Sequence, residues 1–486
     1  MRRMNGMDAF MIHSEEQNAI QHTLKISILD PSTAPSGWKY DEYCESLRAI
    51  PMLMPVLRWK YLEVPLGLHH PVWVEDPLFE AGYHFRRIAC PAPGDNRALC
   101  ELIAQLYILP LDHNRPLWMV WMVEGLQDGK IANVLMLHHA YADGAGVLVM
   151  MKRVLQTQPF CFERRLQPLS PPPVPTKTRL LLQAGRELPG TLVRSVYKVV
   201  LGIAHTRALK RRFAAEGKHD PPNPFKDVRD SPINDMLSAC RSFAFVTFEL
   251  ARLKRISKSL QVTINDLFVA CAALMYRRLM IDKGYAPDSG PLVTAIPFTQ
   301  RPPEELDDGI GNMTTTDYLM MPVHLADPLA RLAAARTSGN IMKEHFRAAK
   351  GADVNSILDL MPAFAIHAIA RYIARKHGKF ALTGNALVSN VAGPTQALYL
   401  GEIKLDNWIS TGQVTHGMVV NTTAWSYDDK FNVSILADKK VVPDGWPLLE
   451  CFREALDEYD HLAQPSPAVV RRHSQETINE PALRSV

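Results

Sequence analysis

The sequence predicts a mixed α/β (α+β) protein that is built from two similar domains. Strand-like and helix-like segments alternate in both halves of the chain, in a loosely shared order. At 486 residues the chain is longer than one hydrophobic core usually supports, so two domains of roughly 150–250 residues are expected. The 47% share of hydrophobic residues and the 21% share of charged residues are typical of a globular protein.

In the first half, the alternation of apolar and polar residues predicts a strand at His22–Asp30 and another at Tyr83–Cys90. Apolar residues at helical spacing predict a helix at Asn96–Leu109. Two further strands, PLWMVWMVEGL and ANVLMLHH, flank the polar turn QDGK. A helix is expected from Asp143 to Leu155, because aspartate favours the position that caps a helix start.

The composition changes in the middle of the chain. The prolines of Gln167–Thr178 predict an extended linker, because proline is disfavoured inside helices. The basic segment Arg179–Phe213 follows, and Pro189 and Gly190 are expected to divide it into two helices. These helices either connect the domains through a solvated basic face or lie on anionic lipid, where lysine and arginine add attraction to apolar burial.

In the second half, alternation predicts a strand at Ser242–Leu250, and Thr263–Met280 is the strongest helix of the chain. Later strands are expected at LVTAIPF, TTDYLMMPV, ALVSNV and KFNVSILAD, with helices near Leu329–Phe346, Ile357–Arg375 and Trp446–Leu462. The predicted organisation is an N-terminal domain at 1–165, a linker with interfacial helices at 166–235, a C-terminal domain at 236–465 and a disordered tail at 466–486.

Charge and cysteine content argue against several functional classes. A net charge of +4 is small for this length and does not indicate a nucleic-acid-binding protein. The seven cysteines are scattered without a CxxC pair, which favours a reducing compartment over a disulfide framework or a zinc site. Neither a signal peptide nor a membrane-spanning apolar segment is evident, so a soluble or peripherally attached protein on the cytoplasmic side is expected.

Two adjacent histidines, His138 and His139, end the apolar strand ANVLMLHH. Successive side chains of a strand point to opposite faces, so the two rings cannot share one task, and no metal site is expected from them. His139 is the candidate base, because an imidazole with a pKa near ~6.5 can be neutral and accept a proton from a hydroxyl. Asp143, four residues further on, can cap the next helix or hold an arginine.

These residues also carry a family resemblance. The segment HHAYADG matches the HHxxxDG motif of the CoA-dependent acyltransferase superfamily, which includes chloramphenicol acetyltransferase and condensation domains. Three further segments make the chain similar, from about Met7 to about Leu462, to the bacterial wax ester synthase/diacylglycerol acyltransferase family. They resemble its PLW motif (Pro116, Leu117 and Trp118), its ND motif (Asn265 and Asp266) and its SNVPGP motif (Val388–Pro394).

The resemblance implies two chloramphenicol-acetyltransferase-like mixed-sheet domains with a central substrate channel between them. Acyl-CoA is expected as the co-substrate, with no further cofactor, and diacylglycerol or a long-chain alcohol as the acceptor. His139 would deprotonate the acceptor hydroxyl for direct transfer, with His138 in a supporting role and Asp143 in a structural one. The protein would then make triacylglycerol, wax ester or both at a membrane or lipid-droplet surface on the cytoplasmic side.

The other motif residues have two interpretations each. Asn265 and Asp266 either cap the helix that they begin, or Asn265 donates a hydrogen bond to the developing oxyanion, a contact worth ~3 kcal/mol. Ser389 and Asn390 end a strand and are candidates for polarising the thioester or binding CoA, whereas Gly393 and Pro394 after them suit a turn. The candidate substrate-binding residues are Asp266, Ser389, Asn390, Gly393, Pro394, Pro116, Leu117 and Trp118.

Two departures from the family pattern are Ala392 in place of proline and Met119 in place of a common acidic residue. The segment GIGNMT at 309–314 is only a fragment of a phosphate-loop pattern and is discounted. Alternative functions are transfer to another hydroxyl acceptor, transfer from a carrier-protein-bound donor, and lipid binding without turnover. The preference between acceptors is not predicted, because one methylene changes binding by only ~1–3 kcal/mol.

Overall fold

A computed structural model describes residues 1–35, 37–161, 171–301, 308–349, 354–375 and 384–464. The elements of the first half are β1 (Arg2–Arg3), α1 (Gly6–Ser14), β2 (His22–Asp30), α2 (Tyr40–Leu53), β3 (Trp59–Leu62), β4 (Val72–Glu75), α3 (Ala81–His84), β5 (Phe85–Ala89), α4 (Asn96–Tyr107), β6 (Trp118–Glu124), β7 (Ile131–His138), α5 (Gly144–Met151) and α6 (Lys177–Ala215). Those of the second half are β8 (Arg241–Glu249), α7 (Leu250–Ser259), α8 (Ile264–Asp282), β9 (Leu292–Thr299), β10 (Thr314–Met321), α9 (Pro328–Ala348), α10 (Ala363–Arg375), β11 (Ala386–Val391), β12 (Tyr399–Leu400), β13 (Ile403–Thr411), β14 (Val420–Tyr427), β15 (Lys430–Asp438) and α11 (Trp446–Ala463).

The fold contains two six-stranded mixed sheets. The first sheet has the strand order β12-β13-β2-β7-β6-β5, and the second has the order β10-β9-β11-β14-β15-β8. Parallel pairs occur in both sheets, between β5 and β6 and between β11 and each of its neighbours. A small third sheet joins β1, β4 and β3. The expected mixed α/β fold with two sheet-bearing parts is confirmed.

The first sheet is completed by strands from the second half of the chain. β13 pairs antiparallel with β2, so that Trp408 lies opposite Ser27 and Ser410 lies opposite Lys25. β12 then pairs with β13 at the sheet edge. The two halves are therefore interlocked through this sheet, whereas the predicted division of the chain at 235 and 236 stays a prediction.

The two faces of the first sheet pack against different layers. Leu24, Ile26 and Ile28 of β2 belong to the core that includes α4 and the helices of the second half. The intervening positions of β2 face the opposite way, and Leu29 belongs to a second core together with residues of α2 and α5. This alternation is the period-two pattern of a strand that is covered on both faces.

The expected division of the basic segment into two helices is wrong, because α6 is one helix of 39 residues that contains Pro189. A proline inside a helix removes one backbone hydrogen bond and costs ~3 kcal/mol. Buried residues on both sides, including Leu180, Ala184, Leu209 and Phe213, hold the helix against the protein and offset that cost. By contrast, Pro362 separates the 3₁₀ helix Val354–Leu360 from α10, where one helix at Ile357–Arg375 was expected.

Two predictions concern segments outside the described residues, wholly or in part. The predicted tail at 466–486 lies outside them, and so does the start of the proline-rich linker, up to residue 170. Within the described chain, no helix alone is long and apolar enough to cross a membrane, and α7 and α8 reach that length and apolarity only together, across a bend of 99°.

Candidate active site

The two histidines of HHAYADG lie where β7 ends. The backbone N–H of His138 donates to the Leu117 carbonyl at 3.0 Å, and that of His139 donates to the Gln21 carbonyl at 2.7 Å. The His138 side chain is fully buried, whereas His139 is partly exposed. The two rings therefore occupy different surroundings, as the alternation along a strand predicts.

Asp143 fixes the turn that follows the histidines. Its Oδ1 accepts from the Gly146 N–H at 2.7 Å, which caps α5, and from Nε of Arg301 at 3.0 Å. Its Oδ2 accepts from the Met313 N–H at 2.8 Å. Both interpretations of Asp143 are thus present at once, since it caps a helix and holds an arginine. Gly146 has to be glycine, because a Cβ there would collide with the Arg301 guanidinium and the Gly309 carbonyl.

His139 is held in a neutral state by its surroundings. Burial lowers the pKa of His139 to about 4. The negative charge of Asp143 acts to raise this pKa, and the positive charge of Lys25 lowers it further. The amide nitrogen of Asn312 lies 3.0 Å from Nδ1 of His139, and the Asn312 Oδ1 accepts from the Thr314 N–H at 3.1 Å. The amide therefore donates to Nδ1, and the resting ring carries its proton on Nε2.

His138 belongs to a hydrogen-bonded network behind the motif. Glu15 Oε2 lies 3.1 Å from Nε2 of His138 and 2.9 Å from Nε2 of His113. The Tyr61 hydroxyl in turn lies 2.8 Å from Nδ1 of His113. Burial alone would raise the pKa of Glu15, but the hydrogen bonds from His113 and His138 lower it well below the ordinary value. The hydrogen bond to Glu15 raises the pKa of His113.

Glu15, His113 and His138 are also a candidate metal site, since their ligand atoms lie within 4.8 Å of one another. A metal ion on Nε2 of His138 would require Nδ1 to carry the ring proton. The Ala140 N–H donates to that Nδ1 at 3.1 Å, so Nδ1 is an acceptor and Nε2 is the donor to Glu15. The donor set therefore fits a chain of hydrogen bonds better than it fits a metal ion.

The PLW residues position the strand end. Trp118 pairs with Leu137 at the start of β6, its indole N–H donates to the Leu57 carbonyl at 2.7 Å, and its ring stacks on His84 at 4.3 Å. Leu117 is buried and supplies the carbonyl that holds His138. The Pro116 carbonyl accepts from the Trp118 N–H at 2.9 Å. These contacts position the histidines through backbone pairing of the neighbouring strands.

The ND residues lie at the beginning of α8. The residue that caps this helix is Thr263, which precedes the two predicted residues. Asp266 takes part in the cap, because it forms a capping box with Thr263. Asp266 also lies 3.5 Å from the Lys343 ammonium of α9. None of these contacts involves the histidine motif, and the role of Asn265 as an oxyanion donor stays a prediction.

The SNVAGP segment ends β11 near the start of α5. A Cβ added to Gly144 would lie 3.6 Å from Val391, which directly follows Ser389 and Asn390. Both polar residues are partly exposed there. Gly393 closely approaches the Ser426 carbonyl, leaving no room for a Cβ, and the Pro394 carbonyl accepts from the Asp428 N–H at 2.8 Å. This end of the second sheet thus lies next to the histidine turn.

Sequence reasoning missed Asn312, Arg301, Glu15 and His113, whose side chains contact those of the motif. Asn312 lies within the discounted segment GIGNMT, whose glycines allow backbone φ angles of 81° and 86°. Its partner His139 is 173 positions away, and the partner of Arg301 is 158 positions away. No local pattern signals such pairs.

Comparison with known proteins gives the family. Residues 4–268 match the family model described as "Wax ester synthase/diacylglycerol acyltransferase catalytic domain", and residues 310–460 match the model described as "WS/DGAT C-terminal domain". A candidate diacylglycerol O-acyltransferase of Mycobacterium tuberculosis is 41% identical over 459 residues, which cover 94% of this chain and 97% of that protein. A second such protein of that organism is 30% identical, covering 91% and 92% of the two chains.

Solved structures agree on the fold. The wax ester synthase/diacylglycerol acyltransferase from Marinobacter aquaeolei has a TM-score of 0.66 at 21% identity, covering 95% of this chain and 99% of that one. The first condensation domain of the calcium-dependent antibiotic synthetase has a TM-score of 0.59 at 15% identity, covering 95% and 96%. The family matches and the 41% identical relative show that this chain is an acyltransferase of the wax ester synthase/diacylglycerol acyltransferase family.

Proposed function

We propose that the protein transfers a fatty acyl group from acyl-CoA to diacylglycerol, to a long-chain alcohol or to both, with His139 as the general base. The observation that carries this proposal is a neutral, partly exposed imidazole whose backbone and following turn are fixed by Gln21 and Asp143. A neutral ring near pH 7 can accept a proton, and a positioned base of this kind typically contributes ~10²–10⁴ in rate.

In the proposed reaction, His139 takes the proton of the acceptor hydroxyl as its oxygen bonds to the thioester carbonyl carbon. The C–S bond then breaks, and the imidazolium returns the proton to the CoA sulfur, so that an ester and free CoA leave. Because Nδ1 accepts from Asn312 in the resting structure, the ring proton lies on Nε2. The ring can therefore take up the hydroxyl proton at Nε2 only after its own proton has moved to Nδ1.

The first test offers palmitoyl-CoA with dioleoylglycerol, with hexadecanol or with no acceptor. Free CoA is measured and the lipid products are separated by chromatography. Release that depends on an acceptor supports the proposal and identifies the preferred alcohol. Binding of palmitoyl-CoA without release would favour a different hydroxyl acceptor or a lipid-binding protein without turnover, and failure to bind it would favour a carrier-protein-bound donor.

Replacing Asn312 with aspartate is expected to shift the pH dependence of the reaction. A carboxylate beside Nδ1 accepts its proton and favours the charged ring, so the pKa of His139 rises from about 4. The acid limb of kcat/KM, which reports the free base, should move upward by about one to three pH units. Asn223→Asp, at a partly exposed position outside the histidine site, is the matched control. An acid limb that stays in place in Asn312→Asp would show that Asn312 does not act on His139.

We also propose that α6 attaches the protein to anionic lipid. Val193, Val196, Tyr197 and Val200 recur at helical spacing and are 50–72% exposed, which gives an apolar stripe on the outer surface of the helix. The exposed Arg194 lies within the same turns. Apolar burial combined with basic side chains is the pattern that holds a helix in the interface of a membrane.

Val193→Glu combined with Val200→Glu is expected to weaken sedimentation with vesicles of phosphatidylcholine and phosphatidylglycerol by about tenfold or more. Each substitution removes apolar area from the interface and adds a charge that anionic lipid repels. Ile281→Glu, at an exposed apolar position on α8, is the control. Equal binding of all three proteins would show that α6 does not mediate attachment.

A further inference from the structure

A cavity of about 80 Å³ lies between the first sheet and the helices α2 and α5. It is several times larger than the ~10–15 Å³ that one water needs. Val147 and Met150 of α5 line it close to the capping residue Asp143, and Leu137 lines it next to the histidine motif. The cavity is therefore a chamber that extends along the sheet from the end of the strand that carries the histidine motif, and His139 itself does not line it.

The sheet side of this chamber carries a polar patch in an otherwise apolar wall. Lys25 and Ser27 of β2 both line the chamber, two positions apart on one face. Ser27 lies between Trp408 of β13 and Asn133 of β7, which line it as well. Four polar side chains from three adjacent strands thus face the same space.

Several of these polar groups lack a full set of partners. Lys25 is 5% exposed, and its Nζ donates to the Ser410 hydroxyl at 2.6 Å and lies 5.1 Å from the Trp425 ring centre. Among the described residues, no carboxylate lies within 4.0 Å of that ammonium. The buried Trp408 Nε1 and Asn133 Oδ1 have no hydrogen-bond partner within the same part of the chain.

An unpaired buried polar group costs ~1–3 kcal/mol, so such groups usually have a ligand, a water or a functional reason. Burial lowers the pKa of Lys25 to about 8, opposed by the charge of Asp143, and the side chain remains mainly a cation at pH 7. The titratable groups that face it from neighbouring elements are Asp143 and His139. A chamber made only for an alkyl chain would gain nothing from a buried cation.

We infer that this chamber binds the part of a substrate chain that carries an oxygen function, either a carboxylate or a hydroxyl, which accepts hydrogen bonds from Lys25 and Trp408. The inference rests on the proposed function, because it takes the chain in the chamber to be that of a substrate of His139. Lys25 is paired with Leu135, three residues before His138, so the oxygen lies on the order of ~10 Å along the strand from the motif. The chamber would then select functionalised chains over plain ones.

The test measures the dissociation constants of three acyl-CoA esters by calorimetry, without acceptor. Decanoyl-CoA has a plain chain, 10-hydroxydecanoyl-CoA ends in a hydroxyl, and the mono-CoA ester of decanedioic acid ends in a carboxylate. The wild-type protein is expected to bind at least one oxygenated ester about tenfold more tightly than decanoyl-CoA. Lys25→Met should lose that preference, whereas Lys130→Met, which removes a lysine paired with Asp406, should keep it.

The two oxygenated esters distinguish a carboxylate from a hydroxyl ligand. Should Lys25→Met not fold, the wild-type protein alone decides, because preference for the carboxylate must fall between pH 7 and pH 9 as Lys25 loses its proton. Equal binding of all three esters, or an unchanged preference in Lys25→Met, would overturn the inference. If decanoyl-CoA itself does not bind, the proposed donor is wrong. Binding of 1-decanol and of decane-1,10-diol to the wild-type protein and to Lys25→Met then tests, without CoA, whether the chamber prefers an oxygenated chain.

Discussion

Replacing His139 with alanine is expected to lower the acceptor-dependent release of CoA by about 10²–10⁴-fold. In the proposed reaction the neutral imidazole takes the proton of the acceptor hydroxyl, and alanine cannot take it. Because the ring acts in the transition state, kcat should fall much more than the affinity for acyl-CoA changes. The measurement is a set of initial rates with palmitoyl-CoA and the preferred acceptor.

The matched control is His461→Ala, which removes an exposed histidine in the last turn of α11. Its rate should equal that of the wild-type protein. Release that survives in His139→Ala would mean that another group removes the proton. His138 would not be the first alternative, since its Nε2 already donates to Glu15 and its Nδ1 accepts from the Ala140 N–H.

Much of the fold follows from local patterns. The strand expected at ALVSNV extends over Ala386–Val391, and the strand expected at His22–Asp30 has those bounds. Each strand and helix pattern is a property of a few neighbouring residues, so the sequence suffices for it. The same holds for the aspartate that begins α5, because capping joins residues three positions apart.

Pairing between distant segments could not be predicted in that way. β13 joins β2 across more than half of the chain, and a strand pattern alone contains no register between such segments. The site depends on the same kind of contact, since Arg301 and Asn312 reach the histidine turn from a loop of the second half. Pro189 shows the opposite limit, because tertiary packing outweighs a local helix-breaking signal there.

Removing the carboxylate of Asp143 is expected to destabilise the protein by about 3–5 kcal/mol, because the buried Arg301 guanidinium loses the carboxylate that accepts from its Nε. The two side chains are 0% and 4% exposed, and they lie 3.0 Å apart. The change also removes the cap of α5 and the acceptor of the Met313 N–H. Asp143→Ala should therefore lower the melting temperature and the activity together.

A structural role for Asp143 makes a sharper prediction for the double variant Asp143→Ala with Arg301→Met. Methionine removes the buried charge that loses its Asp143 partner in Asp143→Ala, so the combined loss of stability should be smaller than the sum of the two single losses. Thermal unfolding of the four proteins measures this difference. Additive losses would mean that the two groups do not stabilise each other. Full stability of Asp143→Ala with lost activity would instead place the carboxylate in the reaction, because a group that only holds the turn under His139 cannot be removed without loosening that turn.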